Sequence, residues 1–289
     1  MEVVIGSNGF IGKAVSRRLK DALHIPCSSQ GYFENCQDIE RIIEGAKTVY
    51  LCAGRTGGVG RMQKDPFSFV LPNVRIHMNT FEACRQVGVK RVVCIQSTTG
   101  YPDSPEPMKE SDYANGALHE KYIYPGTAHR FINDLSGMYR ESFDTVFFRP
   151  SNVYGPGNSF DPQFSHVIEA TVRKVAERQI PFVIWGTGTE TRDAIYIDDL
   201  ADAMVMDLPA GAYNVGSGEE MSVNEIVATL LEYADFQTDI RHDTTKPTAI
   251  PARRVDCSKL RGFGWQPKVM MKQGLQKTYD WYQMQSSYA

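Results

Sequence analysis

GSNGFIG, residues 6–12, decides the fold. It overlaps the end of the apolar run VVIG at 3–6 and opens a helix-forming stretch that runs to Lys20. Strand, glycine-rich turn and helix in that order make a cradle for a dinucleotide pyrophosphate. Gly6 permits the tight turn, Gly9 lets the backbone approach the phosphates, and Gly12 lets the helix pack closely on the strand. The helix start offers unpaired N–H groups and a positive dipole end to the same phosphates. Asn8, Phe10 and Ile11 fall in the same loop and complete the expected contact set.

Outward from this loop the pattern repeats. TVYLCAG (48–54) follows a helical stretch at 38–46, RVVCIQST (91–98) follows one at 73–87, and TVFFRPSNVYG (145–155) closes the series. Strands alternating with helices of this length predict right-handed βαβ units. The expected fold class is α/β, a Rossmann-type doubly wound parallel sheet. After residue 155 the rhythm changes to a helix at 163–178, then FVIWGTG, AIYIDDLADAMV and a long helical run, with a last helix at 271–284. The expected organisation is a dinucleotide-binding domain over 1–155, with a return segment near 190–205, and a smaller α/β substrate lobe mainly over 156–289. Open parallel sheets bind ligands at their carboxyl edge, where this lobe would sit.

The second strand, LHIPCSS, ends in Cys27, Ser28 and Ser29. No carboxylate stands there to repel a 2′-phosphate, so NADP is favoured, with NAD as the alternative. Ser28, Ala53 and Gly54 are expected among the cofactor contacts. Asp38 either approaches the adenine or caps the helix that follows it.

The totals narrow the function classes. A chain of 289 residues with 42% hydrophobic and 22% charged residues is ordinary for a soluble globular protein. A net charge of −3 argues against a nucleic-acid partner held by bulk electrostatics. No apolar run approaches the ~20 residues of a membrane helix. MEVVIGSNGF lacks a basic segment before its apolar residues, so it reads as a first strand and not as a signal peptide. Six cysteines without a CxxC pair, two of them (Cys52 and Cys94) inside apolar runs, suggest reduced thiols in a cytoplasmic protein and no metal.

GSNGFIG, STTGYP (97–102), RPSNVYGPGNSF (149–160), FSHVIEA (164–170), WGTGTETRDAIYIDDLADAM (185–204) and the run from DTTKP (243–247) to GWQPK (264–268) together resemble the extended short-chain dehydrogenases. Those NAD(P)-dependent epimerases, dehydratases and reductases act on nucleotide sugars, and the likeness within them is to the GDP-L-fucose synthases. The resemblance implies an oxidoreductase acting on a nucleotide-diphosphate sugar, most simply by reducing a 4-keto group, and a homodimer. An epimerase or dehydratase with an atypical proton relay, or a catalytically silent homologue, is the alternative. By the same likeness, Ser97 hydrogen-bonds the reacting sugar oxygen and His166 serves as acid or sugar contact. Arg192 grips the diphosphate, while Gly58, Asn152 and Trp185 meet sugar and base. Thr99 stands where the fucose synthases carry a cysteine, and a threonine hydroxyl is far too weak an acid to replace a thiolate.

EKYIYPGTAHRF, 120–131, departs from the resemblance more sharply. The related enzymes pair a proton-transfer tyrosine with a lysine one helical turn later, and that charge lowers the tyrosine pKa. Here the tyrosines are Tyr122 and Tyr124, and the residues one turn on are Gly126 and Ala128. Spacing to Arg149–Pro150 favours Tyr124, with Pro125 starting the helix beside it. A tyrosine near a pKa of about 10 is ionised to roughly one part in a thousand at pH 7. It is therefore a poor base for oxidation but an adequate acid for reduction.

Overall fold

The computed structural model describes residues 1–27, 35–55, 64–162, 165–246, 248 and 250–286. Ser28 and Gly58, both expected to contact ligands, lie outside the described residues. Six strands form the main sheet: β1 (Glu2–Ile5), β2 (Leu23–Ile25), β3 (Thr48–Leu51), β4 (Arg91–Ile95), β5 (Asp144–Pro150) and β9 (Gly211–Val215). Their order is β2-β1-β3-β4-β5-β9, and every pairing is parallel. The chain leaves β1 to one side and returns to the other, so the crevice at the carboxyl end of β1 is a topological switch point.

Alternate strand residues feed two cores, as a period of two requires. Val4, Tyr50, Val93, Val146 and Phe148 pack on the face covered by α1 (Phe10–Arg18) and α6 (Ile197–Met204). Val3, Ile5, Val49, Val92, Cys94 and Phe147 pack on the other, with Ile39 of α2 (Cys36–Ile43), Phe81 and Cys84 of α3 (Phe67–Gln86), and Ile132 of α4 (Ile123–Gly137). Cover on both faces is why these strands read as unbroken apolar runs.

The chain comes back to the main sheet's core within the expected 190–205, through a helix, and rejoins the sheet itself further on. β8 (Thr191–Tyr196) belongs to a separate three-stranded sheet with β6 (Asn152–Tyr154) and β10 (Glu220–Ser222), and it is β9 that rejoins the main sheet. Between them α6 packs on α1, pinned by Arg18, whose Nε donates to Asp202 at 2.6 Å and Nη2 to the Asp198 carbonyl at 2.8 Å. The parallel pair β7 (Phe182–Trp185) and β11 (Ile240–Asp243) and the helices α5 (Val167–Ala176), α7 (Val223–Tyr233) and α9 (Met271–Ser286) build the rest of this half. A short α8 (Ser258–Arg261) leans on β9.

Two positions tie sequence to stability. A Cβ on Gly12 would overlap the Gly6 carbonyl oxygen, so helix and loop meet only because both residues are bare. Gly12→Ala is expected to cost about 1–3 kcal/mol through overpacking, seen as a lower denaturation midpoint; a midpoint equal to wild type would contradict it. In α5, Glu169 is fully buried, and burial raises its carboxyl from 4.5 to about 7 despite a hydrogen bond from Asn158 at 2.7 Å. The folded chain thus holds this proton to higher pH than the unfolded chain. Stability is lost as pH rises from the unfolded pKa through the folded one, by about 3 kcal/mol in all. Glu169→Gln is expected to remove that slope, so denaturant unfolding curves of variant and wild type should diverge between pH 4 and 8; parallel curves would contradict the assignment.

Candidate active site

The phosphate loop has the geometry its glycines imply. Gly6 adopts φ +84°, and a Cβ there would lie 2.6 Å from the Ala53 nitrogen. That contact places Ala53 and Gly54 against the loop. Gly9 caps α1 without any side-chain hydrogen bond, and a Cβ on it would meet only the Gly6 oxygen, at 3.3 Å. No N-cap side chain takes up the first-turn N–H groups of α1, which suits a pyrophosphate. Phe10 and Ile11 turn their side chains into the core and offer only backbone to a ligand.

Other members of the expected cofactor set have structural work. Asn8 holds the backbone of Cys27 from both sides, accepting from its N–H at 2.8 Å and donating to its carbonyl at 3.2 Å. This locks the end of β2 to the loop. Asp38 pairs with Arg41 at 3.6 Å, while the cap of α2 is Asn35, not Asp38. Sequence reading missed Asn73 of α3, which accepts from the Arg55 N–H at 2.7 Å and donates to the Arg55 carbonyl at 2.9 Å. The Arg55 guanidinium lowers the Cys27 thiol against the larger upward effect of burial. Positive charge thus stands near the end of β2.

Ser97 follows β4 and caps a short turn, Thr98–Gly100. Its Oγ accepts two hydrogen bonds, from the Thr99 N–H at 3.1 Å and the Thr99 hydroxyl at 2.9 Å. With its lone pairs so engaged, the Ser97 hydroxyl has its own proton left to donate. Thr99, expected to face substrate, spends its hydroxyl on Ser97.

The two tyrosines separate clearly. Tyr122 ends the short turn Glu120–Tyr122 and caps α4, which begins at Ile123. Counting by turns, Tyr122 shares a face with Gly126, Arg130 and Asn133. That face meets the Ser97 turn: a Cβ on Gly126 would lie 2.5 Å from the Thr99 carbonyl oxygen, and Arg130 Nε donates to the Gly100 carbonyl at 2.7 Å. Tyr124 lies on the other side of the helix, 59% exposed, in line with exposed Phe131 and Met138. Tyr124, expected at the reacting carbonyl, thus turns away from Ser97, and Tyr122 is the tyrosine on the face that meets the Ser97 turn. α4 begins at Ile123, and the residue seated on the Ser97 turn is Gly126, one turn after Tyr122.

No lysine fits one turn after Tyr122, because Gly126 has no room for a side chain. His129 gives no charge either, since burial holds its pKa near 3. Cations reach Tyr122 from the other lobe. Arg253 stands over its ring, with Cζ 4.7 Å from the centroid, and donates through Nη1 to the Thr98 carbonyl. Burial pushes the Tyr122 phenol above its ordinary value, while Arg253, Arg192 and the Ile250 backbone draw it back. It remains a neutral acid at physiological pH.

Of the other expected substrate residues, Arg192 stands near enough to Tyr122 for its charge to act on the phenol. Arg192 Nη1 donates to the carbonyls of Thr191 at 2.5 Å and Ile250 at 3.1 Å, and among the described residues it has no ion-pair partner. Trp185 ends β7 and is 54% exposed, with Lys246 Nζ 5.9 Å from its ring. Asn152 donates to the Asp193 carbonyl at 3.0 Å, so its amide knits β6 to β8. His166 caps α5 without a side-chain hydrogen bond to the helix, and desolvation holds its imidazole below the ordinary histidine value. Arg253 was missed because nothing local in PARRVD links it to residue 122.

Residues 3–216 match the NAD dependent epimerase/dehydratase family. The chain is 32% identical over 301 residues to GDP-L-fucose synthase 1 of Arabidopsis thaliana, covering 96% of this chain and 92% of the relative. It is 27% identical to the GDP-L-fucose synthase of Escherichia coli strain K12, covering 96% and 95%. In fold it resembles a GDP-L-fucose synthetase of Naegleria fowleri solved with NADP (TM-score 0.87, 23% identity, 100% and 94% covered). It also resembles a UDP-glucose 4-epimerase of Thermotoga maritima (TM-score 0.86, 21% identity, 99% and 100% covered). With the phosphate loop at a switch point and Ser97 at the end of β4, these matches make the chain an enzyme of the NAD dependent epimerase/dehydratase family.

Proposed function

We propose that the chain reduces the 4-keto group of a nucleotide-diphosphate sugar, GDP-linked, using NADPH. The observation that carries this reading is Tyr122, a buried, neutral phenol beside the Ser97 turn with no lysine on its helix. A tyrosine that stays protonated suits donation to a forming alkoxide and does not suit abstraction from an alcohol. Ser97 would donate its free proton as a hydrogen bond to the carbonyl oxygen, polarising it, and Tyr122 would deliver the proton that makes the alcohol. The chemistry a dinucleotide supplies when bound on the phosphate loop is a hydride for the carbonyl carbon. Arg55 near the end of β2 favours NADP, since a guanidinium suits a 2′-phosphate. Arg192 offers its charge to the diphosphate. Thr99, already committed to Ser97 and too weakly acidic to act as a base, argues against 3,5-epimerisation.

The reading includes a homodimer through α3 and α4. Phe67, Leu71 and Met78 on one helix and Phe131 and Met138 on the other are all at least 43% exposed. Contiguous apolar area of this kind on two adjacent helices suits a second copy of the same surface.

NADPH consumption with GDP-4-keto-6-deoxymannose, followed by nicotinamide absorbance, tests the reaction. Tyr122→Phe should slow it by about a hundredfold or more, whereas Tyr124→Phe should stay within about threefold of wild type. A large loss at Tyr124 instead would overturn the assignment of the acid. Wild type that binds both ligands without turnover would sink this substrate and favour a silent binder. For the dimer, Met138→Asp should halve the mass measured by light scattering, and an unchanged mass would place the interface elsewhere.

A further inference from the structure

We propose that Arg253, brought in from the far end of the chain, is the positioning residue that supplies the positive charge at the acid tyrosine in place of a lysine on the tyrosine's own helix. This rests on the reading of Tyr122 as the acid. The geometry is specific. The Arg253 guanidinium spans the two parts that must be held together, standing 4.7 Å over the Tyr122 ring and donating to Thr98 in the turn that carries Ser97. It makes no salt bridge among the described residues, and its Nε is buried without a hydrogen-bond partner. A half-buried guanidinium without a direct ion pair keeps much of its field for the nearest polarisable group.

The other charged or titratable groups around the pair leave this role to Arg253. His119 lies with its ring 6.1 Å from Tyr122 on the same short turn. Lys121 turns away and donates to the Thr248 carbonyl at 2.7 Å. Arg192 acts on Tyr122 less strongly than Arg253 does, and its Nη1 is held by two carbonyls. Around Arg253 itself stand Asp103, Tyr113 and Tyr122, none of them in a direct ion pair with it. A cation over a ring face fixes the ring's position and also stabilises the ionised phenol. Arg253 would therefore hold Tyr122 at the Ser97 turn and keep its proton transferable.

Nuclear magnetic resonance of protein labelled at the tyrosine Cζ carbon tests this without any substrate. The Tyr122 signal is identified by its loss in Tyr122→Phe, and its titration is followed in wild type, Arg253→Gln, Arg253→Met and Arg253→Lys. Gln keeps a donor for Thr98 and loses the charge, Met loses both, and Lys keeps the charge. The neutral variants should move the midpoint up by about one pH unit or more, and Lys should restore it to within about half a unit. Either neutral variant suffices if it keeps the wild-type circular dichroism. A midpoint unchanged by removing the charge overturns the proposal, as does an unchanged midpoint with weakened GDP binding, which would make Arg253 a diphosphate anchor. Because the readout is ionisation, a wrong sugar assignment leaves it intact.

Discussion

The site depends on one close approach, Gly126 of α4 against the Thr99 carbonyl. A helix can touch the backbone of another segment this closely only where it lacks a side chain. The contact brings Tyr122, one turn earlier, to the Ser97 turn and sends Tyr124 to the far side. It also excludes a lysine from the place where one would support the tyrosine. The missing lysine is thus a steric consequence of how α4 is seated. The positive charge beside Tyr122 comes instead from outside the helix, from Arg253 over its ring.

The turn receiving this contact is held from beneath by a buried polar frame. Arg149 is 2% exposed and makes no ion pair with a carboxylate among the described residues. Its guanidinium donates to Gln96 at 2.9 Å, to Asn133 of α4 at 2.7 Å and to the Glu110 carbonyl at 3.2 Å, and it stacks 3.5 Å from the Tyr113 ring centroid. Tyr113 in turn donates to the Ser97 carbonyl at 3.0 Å. A buried cation without such satisfaction would cost several kcal/mol, so these partners are constrained to stay. One frame therefore sets the position of Ser97 from the sheet side and of α4 through Asn133.

Features written in local chemistry were legible in the sequence. The phosphate loop was readable because Gly6 and Gly12 answer to contacts within a dozen residues. The parallel sheet was readable because strands buried on both faces are apolar throughout. Features set by long-range placement were not. Which tyrosine faces Ser97 turns on Gly126, and not Ala128, being seated against the Thr99 carbonyl, a tertiary contact that local spacing does not carry. Arg253 meets Tyr122 across 131 positions of chain, and no spacing rule reaches so far. Strand β9 was missed because YNVGSG is short and its partner β5 lies across the lobe boundary. Thr99 and Asn8 were read as ligand contacts, whereas each spends its polar atoms on the backbone or hydroxyl that shapes the site.

The most direct measurement of the central claim is a crystal structure with NADP and GDP-L-fucose, the product-like pair. The account predicts Ser97 Oγ and Tyr122 Oη both within hydrogen-bonding distance of the same sugar oxygen, with Arg253 still over the Tyr122 ring. A sugar oxygen held by Tyr124, or by Ser97 without either tyrosine, would contradict it.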